Sequence, residues 1–311
     1  MESIGNKAID PAIAPAPIAL FVYNRPWHTQ QTLEALAGNE LAAVSELLVF
    51  SDAPRGERDI ATVQEVRRLV RRIDGFKSVN VVERSSNLGL AGSIIDGVTA
   101  VCGQHGRVIV LEDDLITAPW FLRYMNDALS LYAADDAVGS IHGYWYPVHR
   151  PLPATFFLRG ASCWGWATWS RAWQLFDADG SRLLSELQRR RLSRQFDLDG
   201  AIAYTRMLRQ QIAGISDSWA IRWHAAMFLA GKLQLSPATS LVRNIGFDGS
   251  GRHSGQSCAF EVELAAAQVT LERVPIQECA DARAALIHYY RGTRRSLGMR
   301  ALALLRRLLS R

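Results

Sequence analysis

The sequence predicts an α/β fold built on a parallel sheet. Short apolar runs of strand length alternate with helix-like stretches. The runs are continuously apolar, as strands covered on both faces require, and each gives way at once to polar or turn residues.

The first run, 18–23 (IALFVY), is closed by Asn24-Arg25-Pro26 and followed by a helical stretch over 29–36. The second, 47–50, ends in Ser51-Asp52-Ala53-Pro54 and leads into a charged helix over 60–73. A third strand at 79–82 meets the turn Asn87-Leu88-Gly89, and 91–102 reads as a helix. The fourth, 108–111, runs straight into Glu112-Asp113-Asp114. Right-handed crossovers set the C-terminal ends of parallel strands along one edge, the edge where open α/β sheets bind ligands. Arg25, Asp52, Asn87 and the three acids are therefore expected at one crevice.

Beyond Pro119 the pattern predicts a helix over 120–132, strand and loop over 138–146 and a strand at 156–159. The tryptophan-rich run 163–169 (CWGWATW) comes next, then a polar helical region over 183–211 and a helix over 219–230. Short strands at 233–235 and 240–242 precede a glycine-rich loop, 246–255 (GFDGSGRHSG). No internal repeat is visible.

A chain of 311 residues can bury one large core or two fused halves, and a charged fraction of 21% argues against wholesale disorder. The four cysteines form no CxxC pair, so reduced thiols in a cytosolic setting are expected. No apolar run approaches the ~20 residues that span a bilayer, and 1–17 lacks the basic-then-apolar order of a signal peptide. A cytoplasmic protein is expected, with 1–16 a flexible lead-in.

Three adjacent carboxylates at the end of an apolar strand repel one another and call for a cation. A hard divalent ion is the natural partner, and it leaves positions open for substrate phosphates. The plain alternative is a solvated turn, with Asp114 capping the next helix.

The segment VIVLEDDLITAPWFLRYM resembles the metal-binding segment of the N-acetylglucosaminyltransferase I family, which initiates complex N-glycans, and a similar stretch of bacterial family-2-like sugar transferases. FVYNRP, VFSDAP, SCWGWATW, SDSWAIRW and the loop ending in His-Ser-Gly follow in the family's order, over roughly 17–255. The resemblance implies a GT-A fold, with a nucleotide-sugar half at 17–115 and an acceptor half at 116–275. It implies that Asp114 ligates Mn²⁺ or Mg²⁺, Asp113 approaches the ribose or a metal-bound water, and Glu112 faces the donor sugar. Arg25 would lie near the diphosphate, and Asp52 would hydrogen-bond a uracil base. Each role also has its own logic, since a departing diphosphate is stabilised by a metal and an arginine.

Asp217 is the candidate general base for an inverting transfer. An N-cap of the helix beginning near Trp219, worth about 1 kcal/mol, is the plain alternative, although Ser216 or Ser218 could cap equally well. The family has a second acid where Ser218 stands. Among the tryptophans, Trp166 is the expected sugar-site wall, and Trp169, at helical spacing from it, is expected in the core; Trp145 is a further acceptor-side candidate. His253, in the glycine-rich loop, could contact phosphate or complete a metal shell.

The last segment, 276–311, is expected to be a basic helical membrane-surface segment, in which 291–311 reads as an amphipathic helix able to lie on an anionic membrane; a helix docked on its own protein is the alternative. The whole predicts an inverting, metal-dependent transfer from a nucleotide sugar, a UDP-sugar, to a glycan hydroxyl. The acceptor could be lipid-linked, at the inner face of the plasma membrane, in bacterial surface polysaccharide synthesis. No nucleic-acid partner is expected. Two rival readings are a sugar-phosphate nucleotidyltransferase and a non-catalytic carbohydrate-binding or membrane-associated protein. The first would want a glycine-rich, lysine-bearing phosphate loop where Asn24-Arg25-Pro26-Trp27 stands.

Overall fold

Strands β1 (Ile18–Val22), β2 (Glu46–Ser51), β3 (Ser78–Glu83) and β4 (Arg107–Glu112) form where the apolar runs predict them. In this computed structural model, which describes residues 14–148, 150–249 and 258–293, they lie parallel in the order β3-β2-β1-β4. All five residues of β1 are buried, as befits a central strand with neighbours on both sides. The crossovers are α1 (Pro26–Ala37), α2 (Glu57–Val70) and α3 (Gly89–His105). Val22 pairs with Ser51 and Phe21 with Glu112, so the three strands end level and their turns share one edge.

The sheet continues past β4. After β5 (Leu115–Thr117), α4 (Phe121–Leu131), β6 (Val138–His142) and β7 (Thr155–Arg159) comes β8 (Trp166–Trp169), which lies antiparallel to β4 with Trp166 opposite Val110. Helices α5 (Ser170–Trp173), α6 (Gly180–Arg189), α7 (Ser193–Phe196), α8 (Tyr204–Ile212) and α9 (Trp219–Leu229) precede β9 (Leu233–Pro237) and β10 (Val242–Asn244). The full order is β3-β2-β1-β4-β8-β6-β9-β7, with β5 and β10 forming a separate two-stranded ribbon. The expected α/β class is observed, with one sheet running across residue 115.

Two local expectations are corrected and one feature is added. The run at 163–169 is not helical at its tryptophans: Trp166 and Trp169 sit three residues apart on a strand, so they face opposite sides of the sheet. The polar region 183–211 is three helices, broken where Arg191, Leu198 and Asp199 adopt left-handed backbone at φ 57°, 47° and 55°. β5 and β10 pair with each other outside the main sheet, a feature too short to leave a periodicity.

Residues 280–293 are helical and dock on the sheet's far edge. Cys279 donates its N–H to the Phe157 carbonyl at 2.8 Å, and Ala282 and Leu286 pack with Trp145, Phe156 and Leu158. Most of the basic stretch, 294–311, lies outside the described residues, as does 1–13 of the lead-in. No helix among the described residues is long and apolar enough to cross a membrane.

Candidate active site

Because β1 and β4 are neighbours, the turn after each lies against the other. Pro26 at the first position of α1 sets the chain's course directly after Arg25. The Arg25 guanidinium pairs with both Asp113 and Asp114, the latter at 2.8 Å. α1 contributes again one turn on, where the Thr32 hydroxyl donates to the Asp113 carbonyl at 2.9 Å. The Tyr23 N–H donates to the Asp113 carboxylate at 3.4 Å. Asp113 is only 5% exposed, so the acidic turn is held inside the protein.

Three carboxylates face one guanidinium there. Lost hydration, with the Asp114 and Asp113 charges, pushes the Glu112 carboxyl up to about 8. Burial also raises Asp113, with Arg25 opposing. Burial works against the Arg25 charge, but the two aspartates outweigh it and raise its pKa. Two aspartates thus share one guanidinium, so the cluster has fewer cationic than carboxyl groups.

The end of β2 supplies a second polar centre. Asp52 is buried and accepts three main-chain bonds, from the N–H groups of Ala53, Leu88 and Gly89, each at 2.9 Å. Gly89 has φ +69°, a conformation that glycine adopts without strain. An ionised carboxylate has about four acceptor sites, so roughly one remains for a ligand. Asn87 donates its side-chain amide to the Ala53 carbonyl at 2.7 Å and ties the two turns together. Sequence reasoning missed Tyr23 and Asp59, which are linked at 2.8 Å and close the β1 side of this crevice; Asp59 also accepts from Asn24 at 2.9 Å.

The glycine-rich loop starts directly over the acidic turn. Asp114 leads into β5, β5 pairs with β10, and the Ile245 N–H donates to the Asp114 carbonyl at 2.9 Å. A Cβ built on Gly246 would lie 2.1 Å from Asp114 Oδ2 and 3.2 Å from Arg25 Nη1. No other residue type fits that cradle unchanged. Phe247 then packs on Trp164 and Phe260 at ring separations of 5.5 and 5.1 Å, and His28 Nε2 lies 3.1 Å from Asp248 Oδ2. His253 lies outside the described residues.

The tryptophan expectation changes here. Trp166 is fully buried between Trp173, Trp219 and Trp223, and it cannot touch a ligand without unpacking that core. Burial on β8, a strand paired on both sides, is the reason. The ring that meets the loop over the acids is Trp164, packed edge-on to Tyr144 at 4.7 Å. Trp145, the weaker acceptor-side candidate, is also buried, against Phe156. Trp169 is core, as expected, and donates to the Leu129 carbonyl.

Asp217 lies just before α9. Ser218 takes the N-cap, accepting from the Ile221 N–H at 3.3 Å, so Asp217 is not consumed by capping. Its carboxylate is largely exposed and sits 3.2 Å from Arg222. Trp219, its near neighbour, stacks on Trp166 at 5.4 Å, which fixes the start of α9 against the sheet.

Among the described residues no three His, Cys, Asp or Glu side chains gather into a ready-made metal cage. The donors suit another kind of site. Asp114 and Asp113 offer hard oxygens under the Gly246 cradle, and Mg²⁺-like ions are commonly held by one or two carboxylates plus substrate phosphates. A cation here would share those oxygens with Arg25.

Compared by sequence, the chain matches no protein-family model and no curated protein. By structure it is similar in part to a mannosyltransferase from Pyrobaculum calidifontis solved with GDP-Man and Mn²⁺, at 18% identity and TM-score 0.30, over 42% of this chain and 37% of that one. It is similar to TarS from S. aureus at 14% identity and TM-score 0.33, over 50% and 47% of the two chains. Mouse xyloside xylosyltransferase 1, in its apo form, gives 12% identity and TM-score 0.36, over 59% and 75%. The matched part thus spans less than half of the first two structures.

Proposed function

We propose that the chain is an inverting, divalent-metal-dependent glycosyltransferase that moves a sugar from a UDP-sugar to a glycan hydroxyl. One observation carries this reading: a largely buried cluster at adjoining strand ends in which a single guanidinium, Arg25, serves two carboxylates, Asp113 and Asp114, under the Gly246 backbone. A cluster short of positive charge suits a dication that arrives with a diphosphate. Asp114 would hold Mn²⁺ or Mg²⁺, with Asp113 toward the ribose or a metal-bound water; the ion's chemistry is to neutralise the departing diphosphate.

The chain's own residues supply the rest. Arg25 exchanges part of its pairing with the aspartates for the diphosphate oxygens. Asp52 accepts from the imide N–H of uracil through its remaining acceptor site, with Asn87 steadying the turn. Glu112, neutral near pH 7, donates a hydrogen bond to the donor sugar. His253 contacts phosphate. Asp217 takes the acceptor hydroxyl's proton as that oxygen bonds the anomeric carbon, and the nucleoside diphosphate leaves with the bonding pair. Trp166 holds α9, and therefore Asp217, in position.

A screen of nucleotide sugars by thermal shift, with and without Mn²⁺, tests the reading. A UDP-sugar should raise Tm only with the metal, through a stabilisation of about 2.7 kcal/mol at a hundred times Kd. Silence toward every nucleotide sugar would sink it. The acceptor is placed at an anionic membrane surface, reached by the basic stretch 291–311, on the inner face of the plasma membrane. Substituting that stretch's arginines with glutamine should lower binding to anionic liposomes while sparing a soluble acceptor.

A further inference from the structure

α8 and the turn that follows it combine two kinds of exposure. Arg206 and Arg209 point outward on the helix, and neither forms an ion pair among the described residues. Met207 is 40% exposed, and Ile215, at 74%, is the most exposed large apolar residue described. No acidic residue occurs from 200 to 216. The neighbouring α6 is different, because its Arg189 and Arg190 are matched by Glu186. The ridge is firmly held from behind. Thr205 and Leu208 are buried, and Asp197 accepts from the Thr205 N–H at 2.6 Å and its hydroxyl at 2.8 Å.

The terminal helix arrives at the same place. Arg283 pairs with Asp199 at 2.8 Å, and Arg291 donates to the Asp199 carbonyl at 3.5 Å, just before α8 begins. The following sequence, 294–311, has six arginines and no acidic residue. That sequence lies outside the described residues and carries the same sign of charge as the ridge. Two cationic segments repel, so this stretch is an unsuitable cover for the ridge; an anionic surface attracts both.

We propose that α8 and the 212–215 turn form a docking ridge for an anionic lipid surface. Arg206 and Arg209 meet the headgroups, and Met207 and Ile215 enter the acyl boundary. Cations interleaved with exposed apolar side chains match an interface that presents charge above hydrocarbon. An acidic polymer would engage the arginines and leave Ile215 in water. The inference rests on the membrane-side acceptor proposed above and sharpens it. Ile215 is two residues from Asp217, so docking brings the base side of the site to the lipid surface.

The test is vesicle co-sedimentation of the full chain. One set of vesicles mixes phosphatidylglycerol with phosphatidylcholine in equal parts, and the other is phosphatidylcholine alone. The chain should prefer the anionic set. Arg206→Gln with Arg209→Gln should weaken that binding about 25-fold, roughly fivefold per arginine. Ile215→Ser should weaken it several-fold. The proposal is overturned if the two vesicle sets bind alike, or if both variants keep wild-type affinity. It is also overturned if only the arginine pair matters, which would mark a polyanion site without insertion. The same variants should keep the Mn²⁺-dependent nucleotide-sugar response in Tm. Failed docking thus leaves the donor reading standing, and a failed donor response leaves docking to be judged on vesicles.

Discussion

The two flanks of the sheet position their chemistry by different means. On the β3-β2-β1-β4 side, polar residues sit at strand ends and are brought together by strand order. Arg25 meets Asp113 and Asp114 because β1 and β4 are hydrogen-bonded neighbours that end level. On the β8-β6-β9-β7 side, placement comes from aromatic packing. Asp217 stands where it does because Trp219 stacks on Trp166 and Ser218 caps α9. The first flank is set by backbone register and tolerates little change at the site itself. The second is set by a distant core and should be sensitive there.

The largest expected effect tests the second flank directly. Asp217→Asn should lower kcat by about 10²–10⁴, the range for losing a general base. Its Mn²⁺-dependent nucleotide response in thermal shift should survive. Near-normal turnover would remove Asp217 from the chemistry and leave the flank purely structural. Trp166→Ala should cost about 3–5 kcal/mol in urea unfolding, as for large aromatics deleted from a core. A wild-type Tm together with a raised donor KM would show instead that Trp166 lines the site.

On the first flank, Arg25→Ala strands two largely buried carboxylates and should cost about 3–5 kcal/mol. Mn²⁺ should raise the Tm of that variant more than that of wild type, because it replaces the missing charge. Equal responses would show that the ion does not bind these acids. Gly246→Ala places a methyl against Asp114 and should reduce kcat/KM about 10²-fold, a typical consequence of misplacing a site by about 1 Å. Unchanged kinetics would mean that the loop does not roof the site during turnover.

A further expected effect concerns pH. The folded Glu112 carboxyl sits at about 8, above its ordinary value of 4.5, so the native state binds the extra proton between the two. Metal-free stability should therefore fall as pH rises from about 5 to about 8. Glu112→Gln should flatten that slope. A slope unchanged in the variant would assign it to another group, such as Asp127, whose carboxyl burial raises to about 6.

The legibility of each part follows from the same contrast. The first four strands and the convergence of Arg25, Asp52, Asn87 and Glu112–Asp114 could be read in sequence, because alternating apolar runs imply parallel order. The pairing of Asp113 with Arg25 specifically could not, since sequence order does not say which strands are neighbours. Trp166 was misplaced for a related reason. Its three-residue spacing to Trp169 fits one face of a helix and opposite faces of a strand, and only the β4 and β6 pairings decide between them. Gly246 was visible as a loop glycine, but its closeness to Asp114 depends on the β5–β10 ribbon.

By itself the sequence determined the α/β class, the strand ends that bear acids and arginine, and the basic, apolar character of the chain's last residues. These depend on composition and periodicity, which are local. Tertiary structure alone decided that Arg25 pairs with the acidic turn, that Gly246 lies over it, and that Ser218 rather than Asp217 caps α9. Each of these is a contact between chemical groups whose meeting is set by strand pairing and side-chain packing, and no local pattern encodes that distance.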